Sequence, residues 1–225
     1  MQEENVWNKK DVAKTYDDLV GTLNIYEKGM AKLLKLLDIA KDDICLDIGT
    51  GTGNYAIAIS SICKQVYALD ISKEMLNIAQ EKAQGISNIE FVQGEFLNLN
   101  ISKDKGVNKI ITNLAFHHLL DDEKERALKI LYDFLPKGGM FLLSDIMYFF
   151  EEKDYDKHIN TLKFIFQECK KENEFLDDFI RTMEMEHPTY FSKLHKMFCN
   201  AGFKIKYFEQ DEDFLFSGLI IGVKE

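Results

Sequence analysis

Proline is almost missing from this chain: Pro136 and Pro188 are the only two in 225 residues. No Pro/Gly/Ser-rich tract marks a linker, and the length suits a single well-cored α/β domain over 1–225. Cysteine is scarce too. Cys45, Cys63, Cys169 and Cys199 form no C-x-x-C pair and match no zinc module, so reduced thiols, a reducing compartment and no metal site are expected. Positive charge is in deficit, with 28 Lys and Arg against 38 Asp and Glu, a net charge of −10. Such a surface repels phosphate backbones and acidic lipids, which argues against nucleic-acid and membrane partners. Long apolar runs are absent as well. The longest, Phe214 to Val223, carries Ser217 and two glycines, and at about ten residues it is too short to span a bilayer. The opening Met1-Gln2-Glu3-Glu4-Asn5 is acidic and polar, unlike a signal peptide. A cytoplasmic protein is the expectation.

What is present alternates. Residues 1–40 read as an N-terminal helical segment, with Val12, Tyr16, Leu19, Val20 and Leu23 at helical spacing, followed by Met30, Leu33, Leu34 and Leu37. Short apolar strands are predicted at Ile44–Ile48, Val66–Asp70, Ile89–Val92, Lys109–Asn113 and Met140–Ser144. Between them fall helices: 54–63 with Ile57, Ile59, Ile62 and Cys63 inward, one capped by Ser72, and one opened by an Asp122/Glu125 capping box. This alternation predicts a mainly parallel sheet with helices on both faces, binding its ligand at the carboxyl ends of the strands. Residues 146–187 carry no strand signal and read as a helical substrate cap after the fifth strand, with Tyr148, Phe149, Phe150 and Tyr155 at its start. Pro188 is expected to start a further helix that stops at Gly202, before a hairpin of Lys204–Phe208 and Phe214–Val223.

The densest chemical signal is Asp47-Ile48-Gly49-Thr50-Gly51-Thr52-Gly53, between a strand and a helix. Glycines there permit positive φ and let a ligand approach the backbone. Gly51 to Ala56 also satisfies G-x-G-x-x-A, with Asp70 placed to hold ribose hydroxyls, so an NAD-dependent oxidoreductase is a competing reading. Asp47 separates the two. A carboxylate beside the glycines repels a pyrophosphate, whereas an ammonium or the N–H groups of the turn suit it. Glu95-Phe96 at the third strand end offers an acceptor for an adenine amino group beside an aromatic ring.

Leu46-Asp-Ile-Gly-Thr-Gly-Thr-Gly-Asn54 resembles the first motif of class I S-adenosylmethionine-dependent methyltransferases. Asp70 resembles their second-strand acid, Asn113-Leu-Ala-Phe-His-His-Leu119 their fourth-strand motif, and Leu135-Pro-Lys-Gly-Gly139 the turn into their fifth strand. Within that superfamily the chain is most similar to the YrrT-like methyltransferases, which share Thr15-Tyr-Asp17, Asp122-Glu-Lys124 and Ala201-Gly-Phe203 as well. The YrrT-like pattern has glutamate at Asp47 and Asp70 and aspartate at Glu95, swaps that keep each carboxylate. The resemblance implies a Rossmann-like seven-stranded sheet whose last strand is antiparallel. It also implies S-adenosylmethionine as cofactor, with S-adenosylhomocysteine as product, and cofactor contacts at Gly49, Asp70 and Glu95. The wider set expected to line the cofactor is Asp47, Thr50, Gly51, Asn54, Ile71, Met75, Phe96 and Asn113.

Methyl transfer from a sulfonium is a direct displacement, so an enzyme supplies chiefly positioning and exclusion of water. An acceptor that must lose a proton needs a base, and His117 and His118 are the candidates. Adjacent residues on a regular element point apart, so one of the two at most is expected to face the substrate. The resemblance folds Tyr16 over the sulfonium; Trp7 could join it. The expected function is methylation of a small-molecule acceptor. A non-catalytic S-adenosylmethionine-binding protein is the third reading, since a cofactor pocket does not prove turnover.

Overall fold

The computed structural model describes residues 24–168, 185–211 and 216–225. In chain order the elements are α1 Asn24–Leu37, β1 Ile44–Ile48, α2 Asn54–Ser60, β2 Gln65–Asp70, α3 Lys73–Lys82 and β3 Ile89–Gln93. There follow β4 Lys109–Asn113, α4 Asp121–Phe134, β5 Met140–Tyr148, α5 Tyr155–Glu168, β6 Thr189–Tyr190, α6 Phe191–Ala201, β7 Lys204–Gln210 and β8 Ser217–Val223.

The sheet order is β3-β2-β1-β4-β5-β8-β7, with β6 paired to the end of β5. The first five strands run parallel, and β8 is antiparallel to both β5 and β7. The Rossmann-like arrangement with an antiparallel last strand is therefore present. β1 shows why it forms. Leu46 and Ile48 enter one core, with Leu128 and Leu131 of α4 and Leu194 and Phe198 of α6. Cys45 enters the opposite core, with Leu33 and Leu37 of α1 and Tyr55, Ala56 and Ile59 of α2. Successive side chains of a strand point to opposite faces, so a strand covered on both faces is apolar at every position. Asp47 breaks that rule.

Several local expectations are corrected. β5 continues to Tyr148, because Met140–Ile146 pair with β8 and Met147 and Tyr148 with β6; the segment read as a cap thus begins after residue 148, not at 146. Pro188 leads into β6 rather than a helix, and α6 starts at Phe191. Ile62 lies beyond the end of α2 and is exposed. The Asp122/Glu125 capping box does not form. Instead α4 begins at Asp121, and the Leu120 backbone N–H donates to Glu123 Oε2 at 3.0 Å. Leucine has no side-chain acceptor, so only that half of a capping box exists. The Ser72 cap is present, its Oγ accepting from the Met75 N–H at 3.2 Å. Gly202 closes α6 with φ 108°, as expected of a left-handed C-cap. Among the described residues no helix is long and apolar enough to cross a membrane.

Candidate active site

The carboxyl ends of β2, β1 and β4 lie side by side, and the glycine turn leaves the middle one. Gly49, Gly51 and Gly53 have φ of 72°, 54° and 83°, in the left-handed region that favours glycine. Their surroundings differ. A Cβ on Gly49 would stand 2.4 Å from Ala115 Cβ, and one on Gly53 2.9 Å from Ala79 Cβ, whereas nothing lies within 4 Å of one on Gly51. Gly49 and Gly53 thus let the turn seat against the segment after β4 and against α3. Gly51 leaves open space.

The turn is tied from both sides. Gly49 and Thr50 donate their N–H groups to Leu69 O at 2.8 and 3.0 Å. Asp70 accepts from Gly51 N–H through Oδ2 and from Ser72 N–H through Oδ1, both at 2.8 Å. Burial pushes the Asp70 carboxyl above the usual carboxylate range, against the pull of those N–H donors. Asp47 is 2% exposed and accepts from Thr50 Oγ1 at 2.6 Å. Burial raises its pKa to about 7, opposed by the Thr50 hydroxyl and the Ala56 N–H and reinforced by the Asp70 charge. Asp47 therefore braces the turn from inside. Of the two partners expected for it, an ammonium or donors of the turn, the donors present are the Thr50 hydroxyl and the Ala56 N–H at the start of α2.

The other expected cofactor residues divide. Ile71, just after β2, is 52% exposed, and Leu114, just after β4, is 41% exposed. Large apolar side chains left bare at neighbouring strand ends on either side of a glycine turn are what a bound ligand would cover. Leu114 also holds φ at 52°, left-handed for a non-glycine, a kind of strain found at ligand sites. Glu95 is exposed. Phe96 is 6% exposed and packs edge-on against Phe116 at 5.2 Å. Its ring belongs to the core. Met75 is buried in α3. Asn54 Oδ1 accepts from Lys82 Nζ at 2.6 Å, and Asn113 Oδ1 from Ser144 Oγ at 2.8 Å. Tyr16 and Trp7 lie outside the described residues, as does the Thr15-Tyr-Asp17 segment.

The two histidines meet an unexpected environment. Phe116–His118 is one turn of 3-10 helix. At three residues per turn, neighbouring side chains diverge by about 120° rather than alternating. Both rings consequently reach one place, their centroids 4.2 Å apart, contrary to the expectation that they part. His117 is 5% exposed. Its Nδ1 lies 2.5 Å from Asp145 Oδ1, and its Nε2 lies 2.9 Å from Glu186 Oε2. The second contact is an ion pair without hydrogen-bond alignment. Burial alone would lower the His117 pKa, but Asp145 and then Glu186 overcome it and raise the value to about 10. Clamped between two carboxylates that favour the protonated ring, His117 is placed better for a positioning role than for that of a general base. His118 is 37% exposed and shifted the other way, below the usual histidine range, by burial and by the charge of His117.

Asp145 and Glu186 were not among the expected site residues. Asp145 had a signal, a carboxylate inside an apolar strand as at Asp47; Glu186 had none, because only the fold brings it to β4. Its segment is held by His187 N–H donating to His117 O at 2.9 Å and by the buried Lys124 Nζ donating to Leu119 O and His187 O at 2.5 Å. Beside it opens a cleft of about 400 Å³, walled by Tyr148, Tyr155, Tyr190, Asp121, Glu186 and His187. Phe149 does not line it but stacks on Phe191, and Phe150 stacks on His158.

Comparison with known proteins gives this geometry a family. A methyltransferase-domain model matches residues 45–139, from β1 to the turn before β5. An uncharacterized methyltransferase of Bacillus cytotoxicus is 32% identical over 155 residues, covering 67% of this chain and 71% of that protein. One of Alkaliphilus oremlandii is 29% identical over 199 residues, covering 85% of each. Among solved structures, magnesium protoporphyrin IX methyltransferase from Synechocystis with bound S-adenosylmethionine shares the fold. Its TM-score is 0.61 at 15% identity, covering 100% of this chain and 87% of that one. With the glycine turn, the second-strand acid and the sheet order all in place, the chain belongs to the class I S-adenosylmethionine-dependent methyltransferases.

Proposed function

We propose that the protein methylates a small-molecule acceptor, binding S-adenosylmethionine across the carboxyl ends of β1, β2 and β4. The observation that carries this reading is the pair of bare apolar residues, Ile71 and Leu114, on either side of the open face at Gly51. In it, Asp70 takes the ribose hydroxyls. Its oxygens each hold one backbone N–H and keep a further lone pair, and a charged acceptor makes the stronger bond. Glu95 accepts from the adenine amino group at the next strand end. Asp47 sets the shape of the turn.

The acceptor enters by the tyrosine-walled cleft. Its volume of about 400 Å³ is enough for a small molecule. Transfer proceeds by proximity and exclusion of water, which suffices for amines and thiolates. The uncombined Cys45, Cys63 and Cys199 support a reducing, cytoplasmic setting.

The test is release of S-adenosylhomocysteine during incubation with S-adenosylmethionine and panels of small amines, thiols and carboxylates. Turnover with one class is expected. Silence across all panels from protein that binds the cofactor would favour a non-catalytic binding protein.

A further inference from the structure

The His117, His118 and Glu186 side chains form a cluster that transfer by proximity alone does not require. One donor atom from each lies within 4.8 Å of the others. His118 Nδ1 stands 3.6 Å from Glu186 Oε1, and His117 Nε2 stands 2.9 Å from Glu186 Oε2. Ligands of a tetrahedral ion with bonds of about 2.0–2.1 Å are separated by about 3.4 Å, between those two spacings. With the two histidine nitrogens also within 4.8 Å of each other, side-chain adjustment of about an ångström brings all three onto one ion.

The surroundings are also those of a metal ligand. A metal-bound imidazole commonly gives its other N–H to a carboxylate, which fixes the ring and raises its basicity. His117 has that partner in Asp145, at 2.5 Å from Nδ1. Asp145 is itself held by the N–H groups of His117 and Ile146, each at 2.8 Å. Glu186 Oε2 is buried without an aligned hydrogen bond and faces His117 Nε2 at 2.9 Å, so an ion between the two atoms would satisfy both. An ion on His117 Nε2 would replace the ring proton that otherwise offsets the two carboxylates.

We propose that His117 Nε2, His118 Nδ1 and the Glu186 carboxylate bind a divalent first-row transition-metal ion of the zinc type. Two imidazoles and one carboxylate suit such an ion better than magnesium or calcium, which prefer all-oxygen shells. Three protein ligands leave a fourth position open, the arrangement of a site that takes an exchangeable donor. Glu186 belongs to both the cluster and the cleft wall, so a molecule in the cleft adjoins that position. The class of ligand that fits is one with an oxygen, nitrogen or sulfur donor.

The test uses the untagged full chain, stripped with a chelator and titrated with zinc chloride by calorimetry, then with cobalt chloride by visible absorption. The expected result is one zinc per chain and cobalt bands typical of low coordination number. The His118→Ala/Glu186→Gln double variant should bind zinc at least about tenfold more weakly and lose the cobalt bands. Should it not fold, His118→Gln alone replaces it, since that side chain is 37% exposed. Equal zinc affinity in wild type and a folded variant, or no stoichiometric binding by wild type, would overturn the proposal. S-adenosylhomocysteine binding by the same samples keeps this outcome separate from the methyltransferase reading.

Discussion

A methyl group added at position 49 would meet Ala115, and one added at position 51 would meet nothing. Both positions are left-handed, which costs a non-glycine residue about 1–2 kcal/mol. Only Gly49→Ala adds a clash, worth about another 1–3 kcal/mol. Urea unfolding should therefore show Gly49→Ala as clearly the less stable variant; equal losses would show that the turn does not seat on Ala115. Asp47 gives a second prediction at this scale. Its folded pKa of about 7 lies above the ordinary value of 3.8, so the unfolded chain releases this proton first. Its contribution to stability is thus greatest at acid pH and falls as pH rises from about 4 to 7, by an amount on the order of a few kcal/mol. Asp47→Asn should remove that decline, measured as the difference between wild-type and variant unfolding free energies at a series of pH values. Parallel curves would show that Asp47 ionises normally. Asp47 and Asp70 were legible in the sequence because a carboxylate ending an apolar strand is conspicuous. Which of its two possible partners Asp47 takes was not, since the Ala56 N–H reaches it only because α2 begins where it does.

At the scale of elements, α3 starts immediately after Asp70, and the Ser72 that caps it also donates its N–H to Asp70 Oδ1. Helix end and the acid proposed to hold the ribose are therefore one unit. Ser72→Ala should cost about 1 kcal/mol of stability in thermal unfolding and weaken cofactor binding by loosening Asp70. A stability loss with unchanged affinity would separate the two. Ser72 was readable because an N-cap is a local code. The start of α4 was misplaced because three acidic residues, Asp121, Asp122 and Glu123, compete there, and tertiary partners decide between them. Asp121 turns to Thr189 and Lys193, leaving Glu123 to reach back to Leu120. The 3-10 turn at Phe116–His118 escaped for a similar reason: a single turn has no periodicity, and without it the shared position of the two histidines was invisible.

Across the whole molecule, alternating apolar strands and amphipathic helices make the parallel sheet legible from its own period. β6 is too short for a period and pairs only because β5 runs on to Tyr148. The segment carrying Glu186 reaches the histidines through backbone bonds to His117 and Lys124, a contact no local pattern encodes. The proposed cofactor site is where the sheet order reverses between β1 and β4, the place an open α/β sheet offers a ligand. The central claim is that this reversal holds S-adenosylmethionine through Asp70 rather than a dinucleotide. Calorimetry of the wild type and Asp70→Asn against S-adenosylhomocysteine and NAD tests it most directly. The account predicts that wild type binds S-adenosylhomocysteine and not NAD, and that Asp70→Asn weakens binding at least about tenfold, the loss of a charge-assisted hydrogen bond. Binding of NAD alone, or full affinity in Asp70→Asn, would contradict it.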